Sequence, residues 1–125
     1  MRYTNKLKVL EILIAEKDWL PVYNFQDRHG IFVGHRAPAR ISELAKEYPT
    51  MVEERKMQDK RSFEYRFRKE NIEYLFNTLP EELKKFVRSL LEKYHYTFTV
   101  EKLVPEFNRE QNKVILVKKT ITINP

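Results

Sequence analysis

Pro38 and Pro49 stand eleven residues apart and leave the chain between them little choice of structure. Proline is tolerated in the first turn of a helix and pushes the residue before it out of helical geometry. A helix here must therefore begin near Arg36 or Ala37 and stop near Tyr48. Ile41, Leu44, Ala45 and Tyr48 recur at intervals of three and four and mark its buried side, leaving Arg36, Ala39, Arg40, Glu43 and Lys46 outward. Beyond it, Phe63, Tyr65 and Phe67 alternate with Ser62, Glu64 and Arg66, the period of a half-buried strand. Met51 to Met57 is a weaker strand, and Gln58-Asp59-Lys60 supplies a short turn between the two. Helix followed by antiparallel hairpin is the central expectation.

On the amino side, Leu7, Leu10, Leu13 and Ile14 fall at helical spacing, with Val9 and Ile12 on an adjacent stripe. They predict a core helix from Asn5 to Lys17, capped by Thr4, with Glu11 interrupting its apolar run. Pro21 suits the first turn of a short second helix, Pro21 to Arg28, with Gly30 ending it in the left-handed conformation. Ile31 to Val33 reads as a short apolar link or strand. On the carboxy side, residues 71–94 read as two helical pieces, and Thr78 with Glu81 has the spacing of a capping box. Two β-rich segments follow, "YTFTV" and "KVILVKKTITINP", with a polar loop containing Pro105 between them. The second is long enough to be a sticky edge, so it is expected to pair within the chain or across a homodimer.

The expected fold class is α+β, a winged helix-turn-helix over residues 1–70 with a helical and β-rich extension over 71–125. The chain carries 24 Lys+Arg against 18 Asp+Glu, a net charge of +6, and the excess is concentrated. Residues 55–69 hold seven basic and two acidic residues. Such a cluster favours a polyanion. In a winged helix the last helix enters the major groove and the hairpin touches the adjacent backbone. Arg36 and Arg40 lie one turn apart, and arginine bonds guanine edges or phosphate through two parallel donors. Ala39 between them permits close approach, and His35, Glu43 and Lys46 complete that face. Arg55, Lys56, Lys60, Arg61 and Arg66 are the expected backbone contacts, which give affinity but little sequence information. The equally physical alternative is a set of solvated charges around a core-packed helix.

The run "APARISELAKEYPTMVEERKMQDKRSFEYRF" resembles a helix-turn-helix domain family common in bacteriophage and other mobile-element proteins. The elements that carry the resemblance are Ala39-Arg40-Ile41, Glu43-Leu44, Tyr48-Pro49, Val52-Glu53 and Tyr65-Arg66. Glu47 stands where the family usually has a glycine. The resemblance implies a winged helix and DNA binding, in transcription regulation or replication of a phage or mobile element. It also allows Arg40 a structural role, paired with Glu43 or Glu53.

Other chemistries find little support. Two glycines leave no phosphate-cradling loop, and His29, His35 and His95 lack ligand-like spacing with carboxylates. The absence of cysteine removes disulfides and thiolate metal sites and suits a reducing, intracellular setting. No enzymatic activity, cofactor or metal is expected, and the amino-terminal apolar stretch is too short and charged to span a membrane. Winged helices also serve as protein-interaction adaptors, which is the rival reading. RNA or single-strand binding would need Phe63, Tyr65 and Phe67 exposed as a stacking platform.

Overall fold

The computed structural model describes residues 2–58 and 61–123. The chain is mixed α+β and forms two compact units, Met1–Tyr94 and His95–Pro125.

The first unit is built on α1 (Asn5–Glu16), whose Thr4 cap accepts a hydrogen bond from the Leu7 N–H at 3.4 Å. Val9, Leu10, Ile12, Leu13 and Ile14 are all fully buried, so neighbours surround α1 on most sides. Lys17 ends it in the left-handed conformation (φ 64°). Leu20–Pro21 form the short strand β1. The chain does not continue into the expected helix from Pro21 to Arg28. It makes one 3-10 turn, Val22–Asn24, then a two-stranded ear of β2 (Asp27–Arg28) and β3 (Ile31–Phe32). The reason is local: Val22, Tyr23, Asn24 and Phe25 are weak helix formers. His29 and Gly30 both take positive φ, 57° and 75°, the backbone of a two-residue hairpin turn. Gly30 thus serves a hairpin rather than a helix end.

Next come α2 (Ala37–Glu47), β4 (Val52–Lys56) and β5 (Phe63–Phe67), close to the limits that the two prolines set. Ala37, Ile41, Leu44 and Ala45 are the buried side of α2. The three strands form one antiparallel sheet in the order β1-β5-β4. Leu20 lies opposite Tyr65, and Val52 opposite Phe67, so the inner face carries both aromatics into the core. Phe63, nearest the turn end of the hairpin, stays 39% exposed.

Two helices complete this unit, α3 (Ile72–Thr78) and α4 (Glu81–Lys93). The expected capping box is absent. Pro80 drives Leu79 into extended backbone, so α3 ends at Thr78, whose hydroxyl donates to the Tyr74 carbonyl at 2.9 Å. Pro80 then holds the cap position of α4 without a side-chain bond.

Glu11 ties α1 to the end of α4. It is 5% exposed and accepts hydrogen bonds from the Tyr3 hydroxyl (2.6 Å), Lys93 Nζ (2.8 Å) and the Tyr94 hydroxyl. Burial pushes its pKa up, but these three donors outweigh burial and hold it below the usual range. Glu16 is held low as well, first by the hydrogen bonds of Arg28 (2.7 and 3.0 Å) and then by His29 (2.8 Å). This clamp fastens the ear to α1. A carboxylate with a depressed folded pKa gives its full stabilisation above the unfolded value, about 4.3. That stabilisation is lost as pH falls through the folded value. The urea midpoint of the wild type is therefore expected to drop between roughly pH 5 and pH 3. The Glu11→Gln/Glu16→Gln variant should start lower and change less, and a flat wild-type profile would refute the assignment.

The second unit is a hairpin of β6 (Phe98–Asn108) and β7 (Lys113–Ile123), paired in unbroken register from Phe98↔Ile123 to Asn108↔Lys113. Pro105 lies inside β6, opposite Leu116, and not in a connecting loop as the sequence led us to expect. A two-stranded ribbon leaves an outer edge on each strand, where a missing N–H breaks no pairing. The partner of β7 is β6 of the same chain, so its pairing needs no second copy.

Candidate nucleic-acid interface

The outward residues of α2 are placed by the helix limits. Gly34 (φ 91°) turns the chain, and its carbonyl accepts from the Ala37 N–H at 3.1 Å. Arg36 takes the N-cap position, with His35 just before it, both exposed. Ala39, Glu43 and Lys46 are exposed along the helix, and Arg40 is half-buried. The Arg40 guanidinium reaches one turn along α2 to both carboxylate oxygens of Glu43, at 3.0 and 2.8 Å. Its charge is locally matched, so a contact with a base edge or phosphate would compete with Glu43.

The hairpin arginines are matched more completely. Across β4 and β5, Glu53 faces Arg66 and Arg55 faces Glu64, which puts all four on the outer side of the sheet. Arg55 donates to Glu64, and Arg66 to Glu53 and, at 3.3 Å, to Glu70. Arg68 adds an ion pair to Glu53 at 3.5 Å and a hydrogen bond to the Pro49 carbonyl at 3.0 Å. Trp19, just ahead of β1, lies against this lattice. The Arg55 guanidinium sits 3.8 Å from its ring centroid and that of Arg66 5.1 Å. Cations over an indole face are attracted by its quadrupole, so Trp19 holds both arginines in place.

This pairing changes the charge picture. Residues 53–70 still hold seven basic residues, but Glu53, Glu54 and Glu70 raise the acids to five. The basic cluster is largely a feature of where the window is drawn. Among the described residues, Arg36, Lys46, Lys56 and Arg61 are the expected contact cations with no ion-pair partner. Lys60 lies outside the described residues.

Glu54 belongs to the inner side. It faces Tyr65, whose hydroxyl is pushed up to about 12 by burial and then by its hydrogen bond to Glu54. With Tyr65 and Phe67 buried, the aromatic stripe is core rather than a platform for bases. Among the described residues the most exposed aromatics are Tyr23 and Phe32, around the ear. Sequence reasoning offered Glu43 as a partner of Arg40 but missed Trp19 and the acidic partners of the hairpin arginines. Their signal was available once the register was fixed, because opposite-charge pairs across a ladder are favourable and recur here twice.

A separate groove of about 570 Å³ runs between the first turns of α1 and α4 and the last turn of α2. Leu7, Leu44, Tyr48 and Leu83 form its floor, with Arg2, Lys6, Glu47, Glu81 and Glu82 on the rim. Among the described residues no three His, Asp or Glu side chains converge on a common point, and no helix is long and apolar enough to cross a membrane. Comparisons with protein-family profiles, with curated proteins and with solved structures returned no match.

Proposed function

We propose that residues 1–94 form a DNA-binding domain of winged-helix type, acting in the control or replication of a phage or mobile element. The observation that carries this reading is connectivity. α1, β1, α2, β4 and β5 follow in that order, with the sheet ordered β1-β5-β4, so a hairpin follows α2 directly and closes on the first strand. This order supports the reading of α2 as a recognition helix backed by a wing. The second helix of a standard helix-turn-helix is replaced here by the 3-10 turn and the ear.

Within this proposal the contact set is narrower than charge alone implies. Arg36 and Lys46 flank the exposed side of α2, and Lys56 and Arg61 lie toward the turn end of the hairpin. Arg55 and Arg66 stiffen the hairpin through Trp19 and their acidic partners. A titration series on a labelled duplex tests the division. Arg36→Ala should weaken binding by about 1–3 kcal/mol if it reads a base edge. Lys56→Ala and Arg61→Ala should weaken it evenly across sequences and each lower the salt slope by about 1. Glu64→Gln, which releases Arg55, should bind more tightly and with a steeper slope. Unchanged binding in all four variants would overturn the assignment.

The apolar groove favours a second reading, an adaptor that receives a peptide segment. Binding to a partner peptide that leaves every duplex unbound would select it.

A further inference from the structure

The β6–β7 hairpin has an asymmetry that concerns neither α2 nor nucleic acid. In the register of this ribbon, Leu103 pairs with Lys118, Pro105 with Leu116 and Phe107 with Val114. Directly opposed residues share a face, and alternate rungs share the same one. Leu103, Pro105, Phe107, Val114 and Leu116 therefore occupy one side of the ribbon. All five are exposed, at 64%, 56%, 64% and 65% for Leu103, Phe107, Val114 and Leu116. On the opposite side, Val104, Ile115 and Val117 are half-buried, and Lys119 pairs with Glu106 at 3.4 Å.

A lone two-stranded ribbon is marginally stable in water, and a third strand or a packed face normally completes it. The edges offer poor routes to completion. Pro105 cannot exchange both hydrogen bonds with Leu116, so its missing N–H belongs to the outer edge of β6. Lys113, Lys118 and Lys119 line β7, the charge that natural edges use against strand addition. The apolar face carries no such protection over its last two rungs, Pro105–Leu116 and Phe107–Val114.

We propose that this face is a homodimer interface, in which two hairpins stack face to face about a two-fold axis. A second copy fits because an isologous contact needs only one self-complementary patch, and here the patch is apolar apart from Lys118 at its end, opposite Leu103. Five such residues expose on the order of 500 Å², at the upper end of what a monomer leaves in one patch. Two copies would bury on the order of 1,000 Å², the lower bound for a specific interface. The contact is independent of the DNA-binding proposal and stands or falls without it.

The test uses the full chain. Sedimentation equilibrium from about 1 to 100 µM should show a monomer–dimer equilibrium, since a patch of this size gives modest affinity. Leu116→Glu should shift the dissociation constant at least tenfold upward, while Lys113→Gln on the other side should leave it within twofold. The absence of cysteine allows a second readout that survives any loss of stability in the charged variant. Leu116→Cys should cross-link with a bis-maleimide spanning about 10 Å, the separation of stacked sheets, and Lys119→Cys should not. A wild-type monomer at the highest concentration would overturn the proposal. So would a dimer unaffected by Leu116→Glu, or equal cross-linking from the two cysteines.

Discussion

The Lys93→Ala/Tyr94→Phe variant is expected to lose about 3 kcal/mol of stability, a fall in Tm of roughly 10 °C. Glu11 is buried, and these two side chains supply two of its three hydrogen bonds. Removing them leaves a carboxylate in the core with only the Tyr3 hydroxyl. A buried charge without partners is among the costliest defects a core can carry. Glu11→Leu should cost less, because it removes the charge together with its need for donors. Lys93, 61% exposed, can then turn to water. The comparison separates a costly orphaned charge from a stabilising ion pair. Thermal unfolding of both variants checks it, and a larger loss in Glu11→Leu would reverse the interpretation.

Phe25→Ala is expected to cost about 3–5 kcal/mol, the usual result of emptying a fully buried aromatic site. Phe25 is the one buried side chain between Pro21 and Gly30, and its ring meets Tyr65 edge-on at 6.2 Å. That contact anchors the segment that replaces a helix. Beside it, the Gln26 carbonyl accepts from Val33 and Gly34 at 2.8 and 3.2 Å and delivers the chain to α2. The mutation should therefore loosen the ear and the start of α2 before the rest unfolds. Hydrogen exchange should show the amides of Val33, Gly34 and Ala37 losing protection ahead of those in α1. By contrast, Glu16→Gln acts on a surface ion pair and should cost about 1 kcal/mol or less.

How far the sequence reveals this fold varies from element to element, for physical reasons. α1, α2 and the β4–β5 hairpin were legible because periodicity, prolines and strict alternation all act over a few residues. The ear was not. The weak helix formers Val22 to Phe25 disfavour a helix without specifying a His-Gly turn, and that choice is backed by Phe25 reaching Tyr65 across forty residues. The capping box misled because Pro80 acts on Leu79 and moves the break by one turn position. Pro105 read as a loop residue because the rule against strand proline assumes a partner on both sides, and this ribbon has two outer edges. At the candidate site, the outward residues of α2 followed from its limits. The state of the arginines did not, since Glu53 meets Arg66, and Trp19 meets Arg55, only through strand register.

The proposed binding of duplex DNA by the α2 side of this domain is best checked by wild-type affinity at two salt concentrations. Fluorescence anisotropy with a mixed-sequence duplex at about 50 and 200 mM salt should give measurable binding below about 100 µM. The slope of log K against log salt should lie near −3 to −4, set by the four unpaired contact cations among the described residues rather than by the whole basic cluster. A slope near −7 would mean that the paired arginines also engage the backbone, against the role given to Trp19 and the acids. No salt-sensitive binding to any duplex would contradict the claim itself.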